Sequence, residues 1–270
     1  GDYLEITLCM RWNFYRGVEE YKMKYINYAK DAYHRIMNIE GKIDQLLAFH
    51  GSGDSKYYRK SYAQHGEDVA IYYFFSAYLK KQWFTYLDVG AHHPYNISQT
   101  ALFHDMGCHG INVEANPNLI EEFYKARPND INVLSGVAPR EGVLPFYMVD
   151  DWSGRNSFNK DEVETFVKNY PEFSIREIKE IKVQTLQSII NKYANGAFPD
   201  YLSIDIEGME YAVLKTCDLC PNGPKVVTYE DNLCGNQELK NLMADYGYVF
   251  WMRNGENYTW VKKEYESHVR

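Results

Sequence analysis

Acidic residues close four apolar segments of this chain and carry its clearest chemical signal. They are Asp88, Glu114, Asp205 and Glu230. Because the carboxyl ends of parallel strands share one edge of a sheet, these carboxylates would line one cleft. A cleft of this charge disfavours phosphate groups, and it suits a cation that also carries hydroxyl groups.

Motifs that cradle phosphates are missing from the sequence. The turn after Asp88 reads Gly-Ala-His-His-Pro where a dinucleotide-binding fold has G-x-G-x-x-G, and no G-x-x-x-x-G-K-[ST] motif occurs. Gly90 would let a ligand approach the backbone. Glu114 stands where an acidic side chain can accept both hydrogen bonds of a ribose diol. A nucleoside that carries a sulfonium ion meets both requirements.

Strands and helices alternate from about residue 84 onward, as is typical of βαβ units and a mainly parallel sheet. The pattern predicts strands at Phe84 to Val89, Gly110 to Glu114, Ile131 to Ser135, Tyr201 to Ile206 and Val226 to Tyr229. It predicts helices that Asn96 caps and Gly107 ends, from Pro117 to Ala126, Leu186 to Tyr193, Met209 to Thr216 and Gln237 to Asp245. Finally, Tyr248 to Arg253 and Tyr258 to Val261 flank Asn254-Gly255, which predicts a hairpin whose last strand is antiparallel.

Two further segments surround this pattern. Residues 1–55 carry apolar and aromatic residues at three-to-four spacing, which predicts a helical N-terminal extension to a main domain of residues 56–270. The extension would pack on its own domain, cap the site or join two chains into a homo-oligomer. Residues from about 139 to 182 form an insertion with a β run at Val143 to Val149, a loop at Trp152 to Ser157 and a helix around Asp161 to Tyr170. Such insertions often form a lid or a substrate wall.

Composition excludes several classes of protein. The net charge is -8 and the sequence pI is about 5.5, so a nucleic-acid partner would meet repulsion. No stretch approaches the roughly 18 apolar residues that span a bilayer, and the chain does not open with a signal-peptide pattern. Five cysteines make no disulfide framework, and the Cys217-x-x-Cys220 pair is interpreted as structural. We therefore expect a cytoplasmic protein.

Five motifs resemble those of the FkbM-type family of class I S-adenosylmethionine-dependent methyltransferases. In chain order they are Tyr62-Ala-Gln-His-Gly-Glu-Asp68, Asp88-Val-Gly-Ala-His-His-Pro94, Gly110-Ile-Asn-Val-Glu-Ala-Asn-Pro117, Val183-Gln-Thr-Leu186 and Tyr201-Leu-Ser-Ile-Asp-Ile-Glu-Gly208. Many members have Asn after the Gly-Ala pair, where this chain has His92-His93-Pro94. The resemblance implies a Rossmann-like α/β fold with a seven-stranded, mainly parallel sheet and an antiparallel C-terminal hairpin.

The resemblance also assigns residues to the cofactor, S-adenosylmethionine. Its methionine part would contact Asp88, Gly90 and Ala91. Its ribose and adenine would contact Glu114, Ala115, Asn116, Gly136 and Val137. Gln64 and Asp68 would close over the cofactor, and Asp205 would lie beside the sulfonium and the incoming hydroxyl group.

Methyl transfer to a hydroxyl group needs orientation and benefits from removal of the hydroxyl proton. The candidate bases are Asp205, His93, Glu207 and Glu230, together with His92. Alternatively, Asp205, Glu207 and Glu230 bind a magnesium or manganese ion that polarises the hydroxyl.

The family usually methylates an oxygen atom of a sugar, a related glycan or a natural product. We therefore expect O-methylation of a nucleotide-activated sugar or a precursor of a surface polysaccharide or glycan. In the insertion, Trp152, Ser153, Asn156 and Ser157 are candidate contacts of the acceptor. Two alternatives are methylation of nitrogen or of a small phosphorylated acceptor, and a non-catalytic binding module that keeps only the sheet.

Overall fold

A computed structural model describes residues 60–231 and 236–269 of the chain. The predicted helical extension, its boundary near residue 55 and its part in self-association lie outside the described residues. None of the helices in the described part has the length and apolar character that crossing a bilayer requires.

The described chain consists of ten strands and seven α-helices. The strands are β1 Thr85–Val89, β2 His109–Glu114, β3 Ile131–Leu134, β4 Gly136–Val137, β5 Gly142–Met148, β6 Glu177–Gln184, β7 Tyr201–Ile204, β8 Val226–Glu230, β9 Tyr248–Asn254 and β10 Asn257–Lys262. The α-helices are α1 Glu67–Tyr73, α2 Ala101–Asp105, α3 Pro117–Ala126, α4 Lys160–Asn169, α5 Leu186–Tyr193, α6 Glu210–Lys215 and α7 Gln237–Asp245. A π-helical turn, Phe74–Tyr78, continues α1, and a 3-10 helix, Lys263–His268, follows β10.

Seven strands form the main sheet in the order β3-β2-β1-β7-β8-β10-β9. All neighbouring pairs from β3 to β8 are parallel, and β10 is antiparallel to both β8 and β9. This confirms the predicted Rossmann-like sheet with its antiparallel C-terminal hairpin. The central strands are apolar and buried on both faces, as parallel strands between helical layers must be.

Three helices begin and end where the sequence predicts, at Pro117–Ala126, Leu186–Tyr193 and Gln237–Asp245. In each, the residue before the helix is a side-chain cap: Asn116, Thr185 and Asn236 accept hydrogen bonds from backbone N–H groups of the first turn. These local signals fix the helix starts without help from the rest of the fold.

The prediction of a helix capped by Asn96 is wrong, because α2 begins five residues later at Ala101. The backbone N–H groups of Tyr95 and Asn96 donate to Nδ1 of His93 at 3.1 and 2.9 Å, and Ile97 has a left-handed φ of 55°. Both features are incompatible with an α-helix at this point. Residues 91–100 instead form a loop beside the carboxyl edge of the sheet.

The hairpin turn is also shifted by one residue from its prediction. Asn254 pairs with Asn257, so Gly255 and Glu256 form the two-residue turn in place of Asn254-Gly255. Gly255 has a φ of 59°. A positive φ at the first central residue is typical of the type II′ hairpin turn, which prefers Gly there.

The insertion contains a second sheet that the sequence analysis did not predict. Its order is β4-β6-β5, with β6 parallel to β4 and antiparallel to β5. The predicted β run is present as β5, and the predicted helix is α4. The available signal for β6 was the alternation of the buried Ile181 and Val183 with the exposed Glu180 and Lys182.

Candidate functional site

A cavity of about 560 Å³ opens at the carboxyl ends of β1, β2, β7 and β8. This volume is within the usual range for small-molecule sites. The predicted residues that line it include Gln64, Asp88, Gly90, Ala91, Glu114, Ala115, Asn116, Gly136, Val137, Asp205, Glu207 and Glu230. The structure therefore brings together residues that are up to 166 positions apart in the chain, from Gln64 to Glu230.

Gly90 follows β1 and packs closely against Asp205, the residue that follows β7. It has a φ of 76°, and a Cβ atom added here would lie 1.8 Å from the carbonyl oxygen of Asp205. The amides of Gly90 and Ala91 also donate to the carbonyl oxygen of Val113, at 2.9 and 3.1 Å. Glycine is thus required by the close packing of the β1 and β7 ends, which fixes the backbone of Asp205 against the turn.

Asp88 is almost fully buried at the end of β1. Its Oδ2 atom accepts a hydrogen bond from the Thr100 hydroxyl at 2.7 Å, and Ser203 also bonds its side chain. Arg127 donates in turn to Thr100 at 2.9 Å. Burial raises the pKa of Asp88, although Thr100, Arg127 and Ser203 act against this shift. The carboxyl group is therefore held in one position at the cavity wall.

Glu114 presents a carboxylate whose acceptor sites the protein only partly fills. Its Oε2 atom accepts from the His92 amide at 2.8 Å, and its Oε1 atom accepts from the Asn116 amide at 2.7 Å. A carboxylate has about four acceptor sites, so these two amides and the backbone amide of Ala115 leave part of its capacity free toward the cavity. Burial raises the pKa of Glu114 to about 7, even though the amides of Asn116, His92 and Ala115 lower it.

Three carboxylates meet beyond the ends of β7 and β8. Asp205, Glu207 and Glu230 each place an oxygen atom within 4.8 Å of the others. Solvent reaches Asp205 through the cavity, but the enclosing walls and then Glu230 and Glu207 raise its pKa well above the usual range. Burial, followed by repulsion from Glu230 and Glu162, raises the pKa of Glu207 to about 8. We call these three residues the acidic cluster.

The backbone after β7 directs the Glu207 side chain to this cluster. Glu207 has a left-handed φ of 54°, and Gly208 follows with a φ of 92°. The turn is held by Glu210, whose Oε1 atom accepts from the amides of Ile206 and Gly208 at 2.8 and 3.3 Å. Glu210 thus bonds the amides that precede α6, and the Oε2 atom of Glu207 is buried with no hydrogen-bond partner. A non-glycine residue in this conformation often marks a functional site.

The two adjacent histidines have different positions. His92 lines the cavity, and its Nε2 atom lies 3.3 Å from the carbonyl oxygen of Trp152 in the insertion. His93 does not line the cavity, because its Nδ1 atom accepts the two amides that hold the 91–100 loop. Burial lowers the pKa of His93. Its geometry is that of a loop-stabilising residue, and His92 is the histidine that the fold brings to the site.

Gln64 and Asp68, predicted to close over the cofactor, are also separated. Gln64 lines the cavity, whereas Asp68 does not. The Asp68 carboxylate instead accepts from the Ser61 hydroxyl at 2.6 Å and from the Tyr62 amide at 2.8 Å. Asp68 therefore shapes the segment that carries Gln64.

A polar contact that the sequence did not predict joins the two ends of the described chain. Glu67 is fully buried and accepts from the side-chain amides of Gln99 and Asn257, both at 2.6 Å. Gln99 and Asn257 line the cavity. Glu67 stands in the first quoted motif, but its partners are 32 and 190 residues away, so no local signal indicates them.

The insertion supplies the outer wall of the cavity. Its lining residues include the predicted acceptor contacts Ser153, Asn156 and Ser157, whereas the Trp152 side chain is 53% exposed and does not line the cavity. Arg155, which the sequence analysis did not single out, is the single Lys or Arg among the described lining residues. Its charge lowers the pKa of both Glu207 and Glu162 and so partly offsets the acidic cluster.

The cysteine pair outside the cavity shows no reactive geometry. Cys217 is buried and Cys220 is exposed, and both are free thiols. Burial raises the pKa of Cys217 to about 12, so this thiol stays protonated near neutral pH. These properties fit the structural interpretation of the pair.

One known protein family matches a large part of the chain. The family model described as the methyltransferase FkbM domain matches residues 88–250, which is more than half of the chain. No curated protein matches the chain significantly.

Solved structures give weaker similarities. One is the precorrin-6y C5,15-methyltransferase from Geobacter metallireducens GS-15, with 11% identity, a TM-score of 0.33 and coverage of 75% of this chain and 90% of that chain. Another is a putative RNA methyltransferase from Pyrococcus horikoshii, with 11% identity, a TM-score of 0.30 and coverage of 75% and 88%. At these values the assignment rests on the family model: the chain belongs to the methyltransferase FkbM domain family and is an S-adenosylmethionine-dependent methyltransferase.

Proposed function

We propose that this cavity binds S-adenosylmethionine and that the protein transfers its methyl group to a hydroxyl group of a sugar. One observation supports this assignment above the others. The carboxylate of Glu114, whose acceptor sites the protein only partly fills, and the acidic cluster face the same cavity of about 560 Å³, from the ends of β2 and of β7 and β8. The first matches a ribose diol, and the second matches a positive charge.

On the donor side, Glu114 would accept both ribose hydroxyls while its backbone bonds to His92 and Asn116 hold it in place. The adenine would lie near Ala115, Asn116, Gly136 and Val137, and the methionine part near Asp88, Gly90 and Ala91. Gln64 would contact the cofactor directly, and Asp68 would act through the segment that carries Gln64. The bound cofactor supplies a methyl group on a sulfonium, which is an electrophile.

On the acceptor side, the acidic cluster would receive the hydroxyl proton. As the acceptor oxygen bonds to the methyl carbon, the carbon–sulfur bond breaks and the proton moves to a carboxylate oxygen of Asp205. The raised pKa of Asp205, which follows from burial and from Glu230 and Glu207, makes this carboxylate a better base than an ordinary aspartate. Because the three groups interact closely, they would share protons as a unit.

The walls of the cavity favour a neutral acceptor that is rich in hydroxyl groups. Ser153, Asn156 and Ser157 offer hydrogen-bonding groups from the insertion, and Arg155 is the single cation among the described lining residues. A phosphate at the reacting end would meet the acidic cluster, so a small phosphorylated acceptor is disfavoured. A nucleotide-activated sugar would have to place its phosphates away from the cluster.

Alternatively, the acidic cluster would bind a divalent cation that assists the same methyl transfer. The oxygen atoms of the acidic cluster lie close enough together to bind one hard cation, and such ions prefer carboxylate oxygens. Asp205, Glu207 and Glu230 would hold magnesium or manganese, which lowers the pKa of an acceptor hydroxyl and orients it.

A screen with S-adenosylmethionine that carries a labelled methyl group tests these proposals. Nucleotide sugars, free glycans and amine acceptors are supplied separately, with and without EDTA, to the wild-type protein and to Asp205→Asn. We expect label on a sugar oxygen with the wild type and a strong loss with Asp205→Asn. Activity that EDTA abolishes and magnesium or manganese restores would assign the cation. Label that enters only amine acceptors would contradict the sugar proposal.

A further inference from the structure

Two histidines and an aspartate converge at the amino edge of the main sheet, on the side opposite the cavity. His104 lies on α2, His109 is the first residue of β2, and Asp130 precedes β3. One nitrogen or oxygen atom from each lies within 4.8 Å of the others. None of the three lines the cavity, so they form a cluster separate from the proposed methyl-donor site.

The distances suit ligands of one ion better than they suit hydrogen bonds. Nδ1 of His104 lies 3.6 Å from Oδ2 of Asp130, and Nδ1 of His109 lies 3.4 Å from Oδ1. In a tetrahedral zinc site with bonds of about 2.0–2.1 Å, neighbouring ligand atoms are roughly 3.4 Å apart. The centroids of the two imidazole rings are 6.1 Å apart and their planes are inclined by 75°.

His104 carries an unsatisfied polar atom in this cluster. Its Nδ1 atom is buried and has no hydrogen-bond partner, although the Asp130 carboxylate is beside it. A buried nitrogen without a hydrogen-bond partner destabilises the fold. An ion bound at this nitrogen would remove that destabilisation.

Asp130 is oriented by groups that do not use all of its acceptor capacity. Its side chain is fully buried, and it accepts from the Tyr86 hydroxyl at 2.6 Å, from the Asn112 amide at 3.1 Å and from the Gly110 backbone at 3.2 Å. Donors of this kind typically fix a metal-binding carboxylate. The Oδ1 atom accepts from the Gly110 amide, and its one other polar neighbour among the described residues is Nδ1 of His109 at 3.4 Å.

We propose that His104, His109 and Asp130 bind one zinc ion through the two Nδ1 atoms and a carboxylate oxygen. The His109 side chain is 54% exposed, so the ion is reachable from solvent and water completes its coordination. Two imidazoles and one carboxylate match the preferences of zinc better than those of magnesium. The ion would join α2, β2 and the start of β3, and it would stabilise this end of the sheet.

Zinc titration of the full chain after removal of metals by a chelator tests the site. Calorimetry should show binding that weakens at least 100-fold in His109→Ala. His109→Ala is the main variant because its exposed ring can be removed without opening the core. His268→Ala, which removes an exposed ring stacked on Tyr78, is the matched control and should bind zinc as the wild type does.

Cobalt gives a second measurement that reports the ligands. The wild type and His268→Ala should give the intense visible absorption of four-coordinate cobalt, and His109→Ala should lose it. Zinc should also raise the unfolding temperature of the wild type but not that of His109→Ala. Equal zinc isotherms for the wild type and His109→Ala, or no zinc binding by the wild type, would overturn the proposal.

Discussion

Strand β7 has an aspartate directly before it and another directly after it, and the fold treats them in opposite ways. At the amino end, Asp200 accepts from Lys81 and Lys225 at 2.6 and 2.5 Å and from the Thr85 amide at 3.0 Å. Although burial raises its pKa, the bonds from Lys225, Lys81 and Thr85 dominate and lower it to about 2. This carboxylate is fully compensated and stabilises the fold.

At the carboxyl end, Asp205 faces Glu207 and Glu230 in place of lysines. Enclosure by the cavity walls and then these two carboxylates raise its pKa well above the usual range. The same residue type is therefore stabilising at one end of the strand and under repulsion at the other. The carboxyl edge thus keeps unfavourable charge that a proton or a cationic ligand can relieve.

The strongest way to sharpen this contrast is to neutralise Asp205. We expect Asp205→Asn to lower the rate of methyl transfer by roughly 10²–10⁴-fold, because the acceptor hydroxyl loses its proton acceptor. The free energy of unfolding should stay the same or increase, since one repelling charge is gone. Single-turnover kinetics and chemical denaturation measure the two effects. A variant with normal turnover would break the comparison.

Asp200→Asn makes the same chemical change at the other end of β7. Because its pKa is lowered, Asp200 contributes stability above the usual value of 3.8, and this contribution is lost as the pH falls through about 2. The variant should lose about 2 kcal/mol of unfolding free energy at pH 7. Urea unfolding at pH 7 checks this value. The affinity for S-adenosylmethionine should not change, and a large change in affinity would count against the division between the two ends.

The pH dependence of cofactor binding tests the charge state of Glu114. Its pKa of about 7 means that acid protonates it and removes an acceptor that the ribose diol needs. We expect the affinity for S-adenosylmethionine to fall up to about tenfold for each pH unit below 7. The unliganded fold responds in the opposite sense: the contribution of Glu114 to stability is present below its ordinary pKa of 4.5 and is lost as the pH rises through about 7. Calorimetry from pH 5.5 to 8 gives the slope, and a flat profile contradicts the role.

The smallest expected effect concerns Glu207. Glu207→Gln removes one member of the acidic cluster and keeps its size, so in EDTA it should raise the free energy of unfolding by about 1 kcal/mol or less. Thermal unfolding of the wild type and the variant in the same buffer measures this. Destabilisation by Glu207→Gln would show that the Glu207 carboxylate makes favourable interactions, as Asp200 does, and would contradict the repulsion within the acidic cluster.

Local signals predicted much of the fold, and distant contacts account for what they missed. Asn116 caps its own helix, so the start of α3 follows from neighbouring residues. The 91–100 loop does not, because Arg127, about 30 residues away, donates to Pro94, Ser98 and Thr100 and holds the loop in a non-helical path. The residues around Asn96 carry no signal of this contact, so they predicted a helix.

In the site, too, some residues follow from sequence signals and others depend on distant contacts. The sequence predicts that Asp88, Glu114, Asp205 and Glu230 share one edge, because strand ends in a parallel sheet meet there. It does not predict Arg155, whose position depends on an insertion folded as a second sheet. It also does not decide between the candidate bases His92 and His93, since adjacent residues of one type differ only in the backbone conformation that the loop imposes.

The most direct test of the central claim is calorimetric titration of S-adenosylmethionine into the wild type, Glu114→Gln and the control Glu122→Gln. Glu122 is a carboxylate on α3 that pairs with Lys125 and does not line the cavity. Thermal unfolding of each unliganded protein first establishes that it is folded. The account predicts binding at least tenfold weaker in Glu114→Gln and unchanged in Glu122→Gln. Equal affinity of folded Glu114→Gln and the wild type would contradict it.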